Sequence, residues 1–273
     1  MKKNIIGIIG GGNMGEALIM GLYKLKKWVV HVCESNPERV EFLKTGYKII
    51  DEQDISSLIA KADVIILAVK PQEMESVLGQ IKTTEGKLFI SIAAGLTTKY
   101  FEDRLGGKAK VIRAMPNLPA LIGEGITGYC KGQFADERDI GNAGLILEAL
   151  GGGPGSVILF EESQMDAVTA VSGSGPAYVF FFVEEWIRAA STLGLNEKDA
   201  RVLVCETLIG SAGLLKKLLR VSKFEEFKTL RAKVTSKGGT TEAAMKVFEE
   251  NNFGKLMEDA LVAAKKRAKE LSK

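Results

Sequence analysis

Ile5-Ile6-Gly7-Ile8-Ile9-Gly10-Gly11-Gly12-Asn13-Met14-Gly15 decides the fold of this chain. Asn4–Ile9 reads as a strand and Asn13–Lys26 as a helix. Gly10, Gly12 and Gly15 between them satisfy G-x-G-x-x-G in the context that gives the pattern meaning, after a strand and opening a helix. The first glycine makes the tight turn and the second lets backbone approach a pyrophosphate. The third allows helix and strand to pack closely. The pyrophosphate then meets free N–H groups and the positive end of the helix dipole. The stretch therefore predicts a dinucleotide site on Gly10, Gly11, Gly12, Asn13, Met14 and Gly15.

Outward from that turn, short apolar runs alternate with helical patterns. Trp28–Cys33, Val64–Ala68, Leu88–Ile92, Lys110–Ala114, Ile126–Tyr129 and Ser156–Phe160 read as strands. Pro37–Lys44 and Glu137–Leu150 read as helices, the first with Pro at its opening turn. The alternation predicts an α/β fold with a doubly wound, mostly parallel sheet. From about Ser163 no strand candidate remains. Pro176–Leu193 is a helix ended by Gly194, and Asn196-Glu197-Lys198-Asp199 caps the next with an acidic first turn. That helix is apolar at Val202, Leu203, Leu208, Ile209, Leu215 and Leu219. Its Gly210–Gly213 stretch permits close approach of another helix. Phe253, Leu256, Met257, Ala260, Leu261 and Ala264 mark one face of a final helix. The expected division is a dinucleotide-binding domain over 1–162 and an all-α domain over 163–273. Ala177–Val183 is apolar on every side, more than a lone helix in a small domain can bury, so a partner subunit is expected.

Composition narrows the function. The 273 residues are 46% hydrophobic and 26% charged, with a net charge of +3. That charge, with no basic cluster interleaved with aromatics, argues against nucleic acid. Lys265-Lys266-Arg267 reads as a solvated helix face. Cys33, Cys130 and Cys205 are odd in number and widely spaced, which fits a reducing compartment and forms no zinc pattern. No signal peptide is expected, and no apolar run is long enough to span a bilayer. A cytoplasmic protein without a metal is the expectation.

A second loop adds substrate chemistry. Val234-Thr235-Ser236-Lys237-Gly238-Gly239-Thr240-Thr241 places small and hydroxyl residues just before a helix start, more than 200 residues beyond the glycine turn. It suggests a second anion site, and so a reductase of a small carboxylate. Around the cofactor, Glu34 stands where a carboxylate hydrogen-bonds a ribose 2′-hydroxyl, favouring NAD. Ser35 and Asn36 instead offer donors to a 2′-phosphate, favouring NADP, while Arg39 lies one helical turn on. Ala68-Val69-Lys70-Pro71 and Ala93-Ala94-Gly95 follow strand ends, where ligands bind in open parallel sheets.

Five motifs in this order — Gly10–Gly15, Ala68–Pro71, Arg113-Ala114-Met115-Pro116-Asn117, Ser172-Gly173-Ser174-Gly175-Pro176-Ala177-Tyr178 and Val234–Thr241 — resemble the pyrroline-5-carboxylate reductases over essentially the whole chain. The resemblance implies an N-terminal Rossmann domain and a helical dimerisation and substrate-binding domain that interlocks with its twin. It implies a homodimer, or a higher oligomer built from dimers. It also implies reduction of 1-pyrroline-5-carboxylate to L-proline with NADPH or NADH, and the balance tips to NADPH. Cofactor contacts fall on Gly10–Gly15, Ser35, Asn36, Ala68, Val69, Lys70, Pro71, Ala93, Ala94 and Gly95. Substrate contacts fall on Ser236, Gly238, Gly239, Thr240 and Thr241, with Ser174 and Asn117 lining the pocket. Thr241 stands at the position of the proposed proton donor. Lys237 replaces a proline usual in the family, leaving the loop less stiff and more charged. Phe224-Glu225-Glu226-Phe227 replaces a Glu-His-Pro-like segment, so no catalytic role passes to Glu225 or Glu226.

The residues fit an imine better than a ketone. A ketone commonly calls for a positioned acid such as His at the developing alkoxide, and the only histidine, His31, lies inside a strand. A cyclic imine binds already protonated, so the protein chiefly orients it. Gly173-Ser174-Gly175 is no nucleophile elbow; it reads as a tight entry into the long helix. A β-hydroxyacid dehydrogenase-like reductase would need a lysine on that helix, and Ala177–Leu193 has none. A non-catalytic dinucleotide sensor would not need the Ser236–Thr241 loop.

Overall fold

A computed structural model of the chain describes residues 5–106, 108–220 and 227–272. Asn4, Phe224, Glu225, Glu226 and the side chain of Leu219 lie outside the described residues. The elements run β1 (Ile5–Ile9), α1 (Asn13–Leu25), β2 (Val29–Cys33), α2 (Pro37–Gly46), β3 (Ile50–Asp51), α3 (Ile55–Lys61), β4 (Val64–Leu67), α4 (Met74–Leu78), β5 (Leu88–Ser91), α5 (Thr98–Leu105), β6 (Lys110–Met115), β7 (Thr127–Lys131), α6 (Glu137–Leu147) and β8 (Val157–Leu159). Helices alone follow: α7 (Met165–Val168), α8 (Gly175–Thr192), α9 (Glu197–Arg220), α10 (Phe227–Lys233), α11 (Thr240–Glu250) and α12 (Phe253–Leu271).

The eight strands form one sheet in the order β3-β2-β1-β4-β5-β6-β7-β8. Strand order reverses direction from β1 to β4, the switch point at which doubly wound sheets bind ligands. Every pairing is parallel except β6 with β7. A short 3₁₀ turn over Leu118–Ile122 stands between those two strands, where a parallel pair would need a crossover helix. Both faces of the sheet are covered, which is why β1 and β4 at its centre carry no polar side chain. Ile6, Ile8 and Ile66 pack with α1 and α6 residues on one side. Ile9, Ile65, Leu67 and Phe89 pack with α3, α4 and α5 residues on the other.

Most expected elements are present within one or two residues of their expected bounds. β3, α3, α4 and α5 are additions, and all are short. Beyond β8 no strand occurs among the described residues. The chain forms two compact units, Met1–Pro176 with Val262–Lys273, and Ala177–Leu261. Helix α12 therefore contributes residues to both.

Candidate functional site

The glycine turn is built as its spacing requires. Gly10 has φ 98°, and its N–H donates to the Cys33 carbonyl at 3.0 Å, tying the turn to β2. A Cβ on Gly10 would stand 2.9 Å from the Ala68 backbone, and one on Gly15 would collide with the Gly10 carbonyl oxygen. Side chains cap α2, α3, α5 and α6 through Asn36, Asp54, Thr97 and Asp136. Helix α1 instead starts at Gly12 with no side-chain cap. Its first N–H groups thus keep their capacity for an anion.

Glu34 turns into this loop. Its carboxylate accepts from the Gly11 N–H at 2.6 Å and from the Asn36 N–H at 2.9 Å. Ser35 Oγ lies 3.3 Å from the same carboxylate. Asn36 spends its Oδ1 on the N–H groups of Glu38 and Arg39. Arg39 is closer to the site than one helical turn suggests. Its Nε donates to the Gly11 carbonyl at 2.6 Å, and its guanidinium pairs with Glu16. Glu16 also accepts from the Tyr47 hydroxyl at 3.1 Å. No local pattern announces a network whose members stand up to 31 positions apart.

Two further loops leave the carboxyl ends of neighbouring strands. Ala68 follows β4, its N–H donating to Ile9 at 2.8 Å, and Lys70 accepts from Glu73 at 2.9 Å in the turn beyond. Ala93 follows β5, its N–H 3.2 Å from Ser91 Oγ. Gly10–Gly15, Ala68–Pro71 and Ala93–Gly95 thus crown three adjacent strands in one unit.

In the other unit, α11 starts at Gly239, again with no side-chain cap. A Cβ on Gly239 would collide with the Ser236 hydroxyl, and the Gly239 N–H donates to the Ser236 carbonyl at 2.9 Å. Gly238 N–H donates to Glu242 at 2.7 Å. Ser236, Gly238, Gly239, Thr240 and Thr241 are thus gathered around one helix N-terminus. Asn117 and Ser174 belong to the first unit. Asn117 accepts from the Ile126 N–H at 2.9 Å, holding the loop after β6. The entry into the long helix read at Gly173-Ser174-Gly175 begins as a π-helical turn, Thr169–Gly173, that joins α7 to α8. A Cβ on Gly173 would strike the Met115 methyl, so small residues let this turn lie on the end of β6. π-Turns inside helices are frequent at functional sites.

Other reactive groups are committed elsewhere. His31 is buried, with Nδ1 2.6 Å from Glu52, and Lys61 holds both Glu52 oxygens at 2.8 Å. Burial, then the neighbouring Glu162 carboxylate, push the Cys130 thiol up to about 12, far from nucleophilic use. The three cysteines are unpaired.

This sheet order, its glycine turn and the appended helices define an oxidoreductase that uses a nicotinamide dinucleotide. A family model described as pyrroline-5-carboxylate reductase dimerisation matches residues 162–271, and one described as NADP oxidoreductase, coenzyme F420-dependent, matches residues 5–95. The pyrroline-5-carboxylate reductase of Mycobacterium tuberculosis is 35% identical over 97% of this chain and 96% of its own. The solved structure of a pyrroline-5-carboxylate reductase from Coxiella burnetii covers all of both chains at 36% identity and a TM-score of 0.90. The Plasmodium falciparum pyrroline carboxylate reductase, solved with NADP bound, does so at 29% identity and a TM-score of 0.84. The chain belongs to the pyrroline-5-carboxylate reductase family.

Proposed function

We propose that this chain reduces the C=N bond of 1-pyrroline-5-carboxylate to give L-proline, the final step of proline biosynthesis. The donor is NADPH, with NADH as the alternative. One observation carries the reading: α1 and α11 begin at glycines without side-chain caps, next to loops of small residues. Two uncapped helix starts suit two anions, a pyrophosphate and a carboxylate. Gly10 and Gly15 pack the turn tightly against its own backbone, while a Cβ on Gly12 would meet no protein atom within 4 Å, which leaves the helix start open for a pyrophosphate.

NAD(P)H, when bound, supplies the hydride. The chain's own residues do the rest. The N–H groups of Thr240 and Thr241 hold the substrate carboxylate, with the Ser236 hydroxyl as a further donor; Gly238 and Gly239, whose own N–H groups are taken by Glu242 and the Ser236 carbonyl, shape the loop. Ser35 and Asn36 take the adenosine end; Ala68–Pro71 and Ala93–Gly95 bound the rest of the dinucleotide. The imine enters protonated, so addition of hydride at carbon neutralises a charge already present. The task is orientation more than acid catalysis. The Thr241 hydroxyl hydrogen-bonds the ring nitrogen and, once hydride addition has left a neutral amine, relays to it the proton from water that gives the ammonium form.

The active form is a homodimer or an assembly of dimers, held through the helical unit. Val179, Phe180, Phe181, Phe182 and Trp186 on α8 are exposed in the single chain, as are Val202, Leu203 and Ile209 on α9. No described helix is long and apolar enough to cross a membrane. The unpaired cysteines support a cytoplasmic location. Nucleic acid is not a partner.

The purified protein should oxidise NADPH or NADH only when pyrroline-5-carboxylate is added. Folded protein that turns over neither cofactor would defeat the assignment.

A further inference from the structure

The last turn of α12 belongs to the same compact unit as the nucleotide loops. The Leu271 carbonyl faces Gly95, where a Cβ would stand 3.0 Å from that oxygen. Gly95 has φ 75°, so its conformation and this close approach both exclude a side chain. One residue on, Ser272 Oγ lies 3.0 Å from Asp166 Oδ1, and also 3.0 Å from the Ala268 carbonyl of its own helix. Asp166 in turn stands 3.6 Å from the guanidinium of Arg113, which is almost fully buried on β6. The same guanidinium reaches Glu162 at 3.4 Å. Glu162 accepts from the Thr98 N–H at 2.8 Å and from the Thr98 hydroxyl.

The loop from Ala93 to Thr97 is therefore held at two points. Leu271 lies on Gly95, and Glu162 grips Thr98 at the start of α5. Arg113 ties the two holds together. Without them the loop has room to shift, because a cavity of about 370 Å³ lies beside it, lined by Pro71, Ala94, Arg113, Asp166 and Leu271 among others.

We propose that the carboxyl end of α12, Leu271 and Ser272, positions the Ala93–Gly95 loop for the dinucleotide through Asp166 and Arg113. These are positioning residues, and the inference rests on the reading that this loop meets the cofactor. An ion-paired clamp built on the buried Arg113 organises the loop before the ligand arrives, so its loss appears as weaker cofactor binding rather than slower chemistry.

The test uses the full chain, Ser272→Ala, Ser272→Thr, and a chain ending at Glu270. NADPH and NADH affinity is measured by calorimetric titration, and steady-state kinetics are run with each substrate varied. The shortened chain should bind the cofactor about 10-fold more weakly, or ~1.4 kcal/mol. Ser272→Ala should lose about threefold, and Ser272→Thr should restore wild-type affinity. kcat and the KM for pyrroline-5-carboxylate should stay within about twofold of wild type throughout, the signature of an interaction equal in ground and transition states. Unchanged cofactor affinity in the shortened chain overturns the proposal. So does a parallel loss in kcat, both KM values and thermal stability, which marks a merely structural role. If the shortened chain does not fold, Ser272→Ala and Ser272→Thr decide alone. A wild-type chain that binds neither dinucleotide would instead sink the cofactor reading beneath it.

Discussion

Glu34 and Thr241 are the side chains whose removal separates the questions left at the level of single residues. Glu34 has its carboxylate on the Gly11 and Asn36 N–H groups, at the edge of the turn where a ribose is expected. A second negative charge there opposes a 2′-phosphate. Glu34→Ala should therefore improve kcat/KM with NADPH relative to NADH. A wild type that strongly prefers NADH, with the preference abolished in Glu34→Ala, would show that Glu34 binds the ribose and that the donor is NADH. Thr241 stands in the first turn of α11. One hydrogen bond to a charged group contributes about 1.5–3 kcal/mol, so Thr241→Ala should lower kcat by roughly 10- to 150-fold, with cofactor affinity kept. Thr240→Ala should be milder, since only its backbone N–H is called on. An unchanged kcat in Thr241→Ala leaves water as the direct proton source. Both residues stand out in the sequence because they sit inside short motifs. Arg39 and Glu162 do not, because their partners stand 28 and 64 positions away and only the folded sheet brings them together.

Among the elements, the strand-turn-helix at β1 and α1 makes the firmest demand on sequence. A methyl group at Gly15 would overlap the Gly10 carbonyl, so Gly15→Ala must push α1 off β1. Overpacking of this kind costs about 1–3 kcal/mol, and here it moves the N–H groups that the pyrophosphate needs. Cofactor affinity, read by fluorescence titration, should fall about 10-fold or more. Wild-type affinity in Gly15→Ala would show that the close approach is not needed for binding. The same strand-helix alternation made β1, β2, β4, β5 and β6 readable, since strands buried on both faces are mostly apolar, with His31, Ser91, Lys110 and Arg113 the exceptions. β3 was hidden because it has only two residues, both exposed. α3 and α4 have seven and five residues, too few for helical periodicity to show. The π turn at Thr169–Gly173 has no periodic signature either, and its small residues read as a loop until the Met115 contact explains them.

At the scale of the whole molecule, the helical unit is legible as unfinished. Phe181 is 64% exposed and Ile209 62% in the single chain. An apolar surface of that extent calls for a second copy. Light scattering at micromolar concentration should find a dimer or larger. A monomer would remove the helical interface from the account. What sequence pattern alone did not convey is that α12 closes back into the nucleotide-binding unit, since an amphipathic helix does not announce which of two cores receives its last turns.

That return of α12 has a consequence for how the protein is made. Synthesis delivers the glycine turn first and lets N-terminal segments fold early. The unit that holds the dinucleotide nevertheless includes Val262–Lys273, which is made only after Ala177–Leu261, the whole of the other unit. Its assembly waits for that later stretch, whatever the speed of the earlier steps. A message cut short before Val262 would yield a chain with every glycine of the fingerprint in place and nothing lying on Gly95.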